Sequence, residues 1–224
     1  MKLYMHPVST AARPVRLLIA ENGITCDEEL VDITTGAHHQ PPYASLNPSR
    51  LVPMLDDDGF RLTESSAILK YLADKYDLPS YPKDLKKRAR VNEVMDWLNT
   101  QLYRDLGYGV VYPQLFPHHK RRSDEAHAGA IDWGQQGARK WLQVLNDHWI
   151  GPNNAYLCGN DVTIADYFGS GIVSIGELIG CDFAAFPNVQ RWLGSMRKLK
   201  SWDQVNAMFN GFAGMNKGKE FARV

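Results

Sequence analysis

Two prolines, Pro79 and Pro82, interrupt the chain within Asp77-Leu78-Pro79-Ser80-Tyr81-Pro82 and separate two stretches with different hydrophobic periods. Proline gives a helix ladder no N–H and pushes the residue before it out of the helical region, so a helix arriving at residue 76 must stop. Before this break, short strands alternate with helices. After it, the strand signals fade and apolar residues recur at helical spacing. The break therefore predicts two folding units, residues 1–78 and 86–224, joined by a linker at 79–85. With 224 residues, 44% hydrophobic content and six Trp, each unit can bury a core.

In the first unit, residues 2 to 5 read as a strand ending at His6-Pro7, and a helical pattern runs from Pro14 through Val15, Leu18 and Ile19 to Asn22-Gly23. A second strand is expected from Glu28 to Ile33, which makes the pair parallel with a right-handed crossover. After a connecting segment at about 36 to 48, Val52-Pro53-Met54-Leu55 reads as a strand, Asp56 to Gly59 as a turn, Phe60-Arg61-Leu62 as the return strand and Thr63-Glu64-Ser65-Ser66 as a helix opening. The expected order is β-α-β, a connection with a helix, then β-β-α.

In the second unit, Val91, Val94, Met95, Leu98 and Leu102 mark one face of a long helix running toward Tyr112-Pro113. The basic stretch His118-His119-Lys120-Arg121-Arg122 reads as a solvated loop or helix start. A second long helix is expected from about 124 to 148. Thr163 and Asp166 form a capping-box pattern opening a buried helix over 164–179. A last helix from Pro187 to Lys200 and a mobile tail rich in Gly and Lys complete the expectation.

Lys plus Arg equals Asp plus Glu, so no global field draws the chain to nucleic acid or an anionic membrane. The three cysteines, Cys26, Cys158 and Cys181, are far apart and lack metal-ligand spacing, which suits a reducing compartment and no metal site. Pro7 falls before any signal-peptide core could form and no apolar run reaches spanning length, so the cytosol is the expected location.

Chemistry is concentrated at two helix starts. At Thr63 to Ser66, free N–H groups and the positive dipole end favour a carboxylate, while Glu64 supplies an anion for an ammonium, a pairing that suits an α-amino acid zwitterion. At the end of the first strand, where a small redox domain would carry Cys-x-x-Cys, the chain has Ser9-Thr10-Ala11-Ala12, which excludes disulfide exchange there. A hydroxyl at that place can stabilise another molecule's thiolate. Bringing a thiol from a pKa of roughly 8.5 to near neutrality needs about 2.7 kcal/mol. A charge-assisted hydrogen bond supplies about 1.5 to 3 kcal/mol and a helix N-terminus about 0.3 to 2 kcal/mol. From these residues alone, Ser9 reads equally well as a plain helix cap.

Four stretches in order, His6-Pro7-Val8-Ser9-Thr10-Ala11-Ala12-Arg13, Asn47-Pro48-Ser49-Arg50-Leu51-Val52-Pro53, Glu64-Ser65-Ser66-Ala67-Ile68 and Gly159-Asn160-Asp161-Val162-Thr163-Ile164-Ala165-Asp166, give the chain a resemblance to the cytosolic glutathione transferases of the serine type. It resembles the theta, phi and delta classes and bacterial relatives that include dichloromethane dehalogenase. That resemblance implies a thioredoxin-like first domain, an all-helical second domain and a homodimer, with glutathione as co-substrate and no metal. It implies that Ser9 bonds the glutathione sulfur, with Thr10 as the neighbouring alternative. Val52 would pair its backbone with the cysteinyl part before a cis Pro53, Glu64 and Ser65 would hold the γ-glutamyl end, and Arg50 and His38 would reach the glycine carboxylate. Leu51 departs from the polar residue relatives often have there. A small apolar electrophile would sit between Val8 and Tyr103, Tyr108, Tyr112 and Phe116, while Tyr4 packs in the core. The alternative of another class is a binding module on the same fold with vestigial catalysis.

Overall fold

The computed structural model describes all residues from 1 to 224. Strands β1 (Lys2–Met5), β2 (Asp27–Leu30), β3 (Met54–Asp57) and β4 (Phe60–Leu62) form one sheet in the order β2-β1-β3-β4. β1 and β2 are parallel, and the β1–β3 and β3–β4 pairs are antiparallel. Helix α1 (Ala12–Glu21) makes the crossover between β1 and β2, the short α2 (Tyr43–Leu46) lies in the connection to β3, and α3 (Ser65–Lys75) follows β4. This is the thioredoxin-like arrangement that the resemblance implies, with a helical region after it.

Two strands differ from expectation. β2 ends at Leu30 rather than residue 33, and all four of its residues are exposed, as suits a short, charged edge strand. β3 begins at Met54 rather than Val52, because Pro53 has no N–H for the ladder and the Val52–Pro53 peptide bond is cis.

In the helical region, α4 (Leu85–Trp97) opens on Asp84, whose carboxylate accepts from the Lys86 and Lys87 amides at 3.1 and 2.9 Å. It continues without a break through a wider, π-type stretch, Leu98–Val111, into α5 (Tyr112–Leu115). α6 (Asp124–Val144) is capped by Ser123 and extends through Leu145–Ile150. Gly134 of α6 meets Gly109 so closely that a Cβ on Gly134 would lie 2.7 Å from the Gly109 carbonyl carbon, which sets the approach of the two long helices.

α7 (Ile164–Ser174) is buried at every residue, and a 3₁₀ turn over Ile175–Ile179 completes the expected 164–179 element. The Asp166 carboxylate, fully buried, accepts from the Thr163 amide and hydroxyl at 2.8 and 2.9 Å, the Leu157 amide at 2.8 Å and the Trp192 indole at 2.9 Å. The cap is structural, as read. α8 (Pro187–Met196) stops short of Lys200, and a further helix, α9 (Trp202–Met215), replaces much of the expected tail. Trp202, Val205, Asn206 and Phe209 of α9 are buried. The tail beyond it is tied down, with Gln114 bonding both the amide and carbonyl of Ala222 and Arg139 bonding the Arg223 carbonyl.

One hydrophobic core runs from the sheet side (Leu3, Leu18, Leu69) through the helices (Leu98, Leu102, Ile172) to Phe209. The seam between the two regions is α1 against α7. There Gly171 faces α1, and a Cβ on it would fall 2.5 Å from Pro14 Cγ and 2.9 Å from the Thr10 carbonyl oxygen. Backbone cannot yield as a flexible side chain can, so Gly171→Ala is expected to push α1 away and destabilise the protein by about 1–3 kcal/mol in urea unfolding. An unchanged midpoint would contradict that close packing.

Candidate functional site

The sheet register gathers the candidate residues at one edge. β1 pairs Lys2 with Asp56 and Tyr4 with Met54, and the same register carried two residues further sets His6 level with Val52. β3 and β4 pair Leu55 with Leu62, which carried on sets Pro53 level with Glu64. β2 runs parallel to β1, and the bond from the Val31 amide to the Met5 carbonyl at 2.8 Å leads the 32–40 loop out at the same edge. The register therefore brings the Val52–Pro53 backbone and the loops that lead into α1 and α3 to one edge of the sheet, and each helix start carries free N–H groups and a positive dipole end.

The loop before α1 is built by local bonds. His6 Nδ1 accepts from the Val8 amide at 3.4 Å, the His6 carbonyl from the Ser9 amide at 3.0 Å, and Ser9 Oγ from the Ala12 amide at 3.3 Å. Ser9 is thus a half-buried hydroxyl at a helix start whose own proton remains available. Thr10 is different. It is only 7% exposed, and its Oγ1 accepts from the Tyr112 phenol at 2.7 Å.

At the second helix start, Glu64 is exposed and adopts φ 63°, ψ 111°, a strained conformation for a side chain of its size. Ser65, buried, begins α3. The 47–51 loop is organised by buried Asn47, whose amide donates to the Leu51 carbonyl at 2.8 Å and the Tyr43 hydroxyl at 3.2 Å while its oxygen accepts from the Ser49 amide at 3.0 Å. This leaves Arg50 exposed at φ 55° and Leu51 exposed beside it.

His38 lies in a 3₁₀ turn, Ala37–His39, with its ring centroid 3.9 Å from that of His39. Its Nδ1 is buried without a partner. Desolvation, aided by His39 and His118, lowers its pKa from the ordinary value, so it stands neutral near pH 7. Of the basic stretch, only His119 departs from the solvated state expected of it. His119 is half-buried against Tyr112 and Tyr108, with centroids at 5.4 and 5.7 Å, whereas His118, Lys120, Arg121 and Arg122 are exposed.

The expected aromatic wall forms a continuous cluster: Tyr103–Tyr108 at 5.2 Å, Tyr108–Tyr112 at 5.1 Å and Tyr112–Phe116 at 5.6 Å between centroids. Tyr108 is 48% exposed, and Val8 is half-buried on the loop before Ser9. Tyr4 packs on Tyr43 at 5.8 Å, in keeping with a structural role.

Two contributors escape the sequence reading. Phe212 of α9 stacks on Phe116 at 6.4 Å, and it was hidden with the helix that carries it. Arg13 is 2% exposed, and its guanidinium donates to Asn206 Oδ1 at 2.8 Å, the Gly171 carbonyl at 3.0 Å and Ser174 Oγ at 3.2 Å while lying 3.6 Å from the Phe209 ring. No carboxylate is among these partners. Burial lowers its pKa to about 10, which still leaves a full positive charge one turn from Ser9. The available signal was its placement on the face of α1 shared with Leu17.

With this geometry the comparisons with known proteins agree. The family model for the glutathione S-transferase N-terminal domain matches residues 1–74, and that for the C-terminal domain matches residues 112–200. The chain belongs to the glutathione S-transferase family. It is 33% identical over 200 residues to human glutathione S-transferase theta-1, covering 86% of this chain and 80% of that one. It is 29% identical over 233 residues to Drosophila melanogaster glutathione S-transferase D7, covering 99% and 92%. Among solved structures, human glutathione transferase theta-2 in complex with glutathione and an unknown ligand superposes with a TM-score of 0.82 at 26% identity, over 99% of this chain and 92% of that one. A Nilaparvata lugens delta-class glutathione transferase gives 0.80 at 32% identity, over 96% and 98%. Relatives named as transferases do not favour the alternative of a binding module. No helix of this glutathione transferase is long and apolar enough to cross a membrane.

Burial lowers the pKa of His6, His38 and His119 alike. The folded state thus favours their neutral forms, whereas the unfolded chain takes up protons near pH 6.5. Their contribution to stability is complete above that pH and is lost as pH falls through the lowered values, while Asp166, raised by burial, offsets part of the loss at more acidic pH. Thermal melts should therefore show Tm falling between pH 7 and 5. A Tm that is flat or rising over that interval contradicts the buried neutral imidazoles.

Proposed function

We propose that this glutathione transferase binds glutathione across the sheet edge and ionises its thiol against Ser9. The observation that supports the reading is the sheet register, which brings Val52 and the loops before α1 and α3, with Ser9 and Ser65, to one edge. In this reading Glu64 takes the γ-glutamyl ammonium and Ser65, with the α3 N–H groups, its carboxylate. Val52, turned by cis Pro53, presents its main chain to the cysteinyl unit. Arg50 and the neutral His38 face the glycine carboxylate, and an anion there raises the His38 pKa toward protonation.

The thiol proton leaves to solvent, and the thiolate is held by the Ser9 hydroxyl, the α1 N-terminus and the buried charge of Arg13. Sulfur then attacks an electrophilic carbon of a small apolar substrate lying against Val8, Tyr108 and Phe116, with Tyr103 and Tyr112 behind them. A C–S bond forms, and either a leaving group departs with its electron pair or the charge moves onto an activated π system. Conjugation of this kind serves detoxification, and the same thiolate serves dehalogenase, isomerase or peroxidase chemistry. We assign glutathione binding to residues 1–78, the electrophile pocket chiefly to 86–224 and the connection to 79–85. A cytosolic homodimer completes the reading, supported by three free cysteines and by exposed Phe60 and Trp133.

Ser9→Ala is expected to raise the pH at which bound glutathione ionises and to lower kcat/KM toward a chlorinated nitroaromatic about 10- to 100-fold near pH 6.5, the value of one charge-assisted hydrogen bond. A pH–rate profile and turnover equal to those of the unmodified protein would remove Ser9 from its role.

A further inference from the structure

Tyr103 and Tyr112 were expected as electrophile-facing rings, yet the Tyr112 hydroxyl turns to Thr10 and that of Tyr103 to Tyr112. Tyr112 donates to Thr10 Oγ1 at 2.7 Å, and the Tyr103 and Tyr112 hydroxyls are 2.7 Å apart. The three hydroxyls form a relay in which Tyr103 donates to Tyr112 and Tyr112 donates to Thr10, so neither phenol proton is left without an acceptor away from water. Desolvation pushes the Tyr103 phenol well above its ordinary pKa and Tyr112 up to about 12, so both phenols keep their protons throughout the neutral range.

The relay is built into the fold. Tyr103 lies flat over Gly107, where a Cβ would meet its ring at 2.6 Å, and the π-type winding of Leu98–Val111 carries both tyrosines to the same side. On the other side, Thr10 directly follows Ser9, two residues before α1 begins at Ala12, and its carbonyl already rests near Gly171. The segment carrying Ser9 is therefore gripped from the helical region at its neighbour's side chain, 102 residues away in sequence.

We infer that Tyr112, with Tyr103, is a positioning residue for the reaction: through Thr10 it holds the Ser9 segment so that the Ser9 hydroxyl meets the glutathione sulfur. The inference rests on the reading of Ser9 given above. It also divides the aromatic wall, leaving Tyr108 and Phe116 to meet the electrophile while Tyr103 and Tyr112 serve the thiol.

The test compares Tyr112→Phe and Thr10→Val, each of which removes a hydroxyl with little change of shape, with Tyr108→Phe as a control outside the relay. Ionisation of glutathione bound to each variant is followed by thiolate absorbance against pH, together with kcat and KM. Tyr112→Phe and Thr10→Val are expected to move the bound-thiol ionisation to higher pH and to lower kcat about fivefold near pH 6.5, with KM for glutathione little changed. The double variant should lose no more than the worse single one, because both substitutions break the same hydrogen bond. Tyr108→Phe should leave the ionisation where it was. If both Tyr112→Phe and Thr10→Val fold with the unmodified Tm and keep its thiol ionisation, the inference is overturned while the Ser9 reading stands. Absence of any thiolate in the unmodified protein would overturn both.

Discussion

The Arg13 guanidinium is the contact on which the rest of the structure depends. Taking a charged group out of water costs several kcal/mol unless its donors are matched, and here Asn206, Ser174 and the Gly171 carbonyl take the two terminal amino groups and Phe209 lies on the face, while Nε has no partner. These partners come from α7 and α9, whereas Arg13 belongs to α1. The sheet side of the molecule is therefore fastened to the helical side by a group that neither can satisfy alone. Glycine at 171 lets the backbones approach closely enough for those bonds. Once α1 is fixed, so is Ser9 one turn earlier, through the Arg13 amide to Ser9 carbonyl bond at 3.1 Å.

From that anchor the site follows by register. Antiparallel pairing on one side of β1 and parallel pairing on the other deliver three loops and two helix starts to a single edge. Glu64 shows the cost of this arrangement. A positive φ at a non-glycine residue costs of order 1–3 kcal/mol, and it persists because β4 and α3 fix the chain on either side. Both helix starts present backbone donors before any ligand arrives, and the buried Arg13 charge adds to the same field, so an anion meets a preorganised place.

Much of this was legible because it is local. Proline marked the break before α4, period-2 and period-3.6 patterns marked most strands and helices, and the Thr163–Asp166 box announced a buried helix that the structure places at the centre of the helical region. Errors arose where a distant partner decides. β3 slipped by two residues because Pro53 sits at its mouth rather than inside it. α9 was missed because Gly211, Gly214 and two asparagines dilute its apolar stripe, and the reason Asn206 faces inward is an arginine in another helix. Ser9 was chemically ambiguous, cap or thiol partner, and the family resemblance tilted it. The pairing of Thr10 with Tyr112 has no local signature at all, so the two tyrosines read as pocket walls.

The central claim is that the edge gathered by the sheet register seats glutathione with its sulfur at Ser9. A crystal structure of the protein with glutathione tests this most directly. The account predicts the sulfur within about 3.5 Å of Ser9 Oγ, near the weak-bond limit for sulfur acceptors, with the γ-glutamyl group at Glu64 and Ser65 and the Val52 main chain paired to the cysteinyl unit. Glutathione bound elsewhere, or at this edge with its sulfur turned away from Ser9, would contradict it.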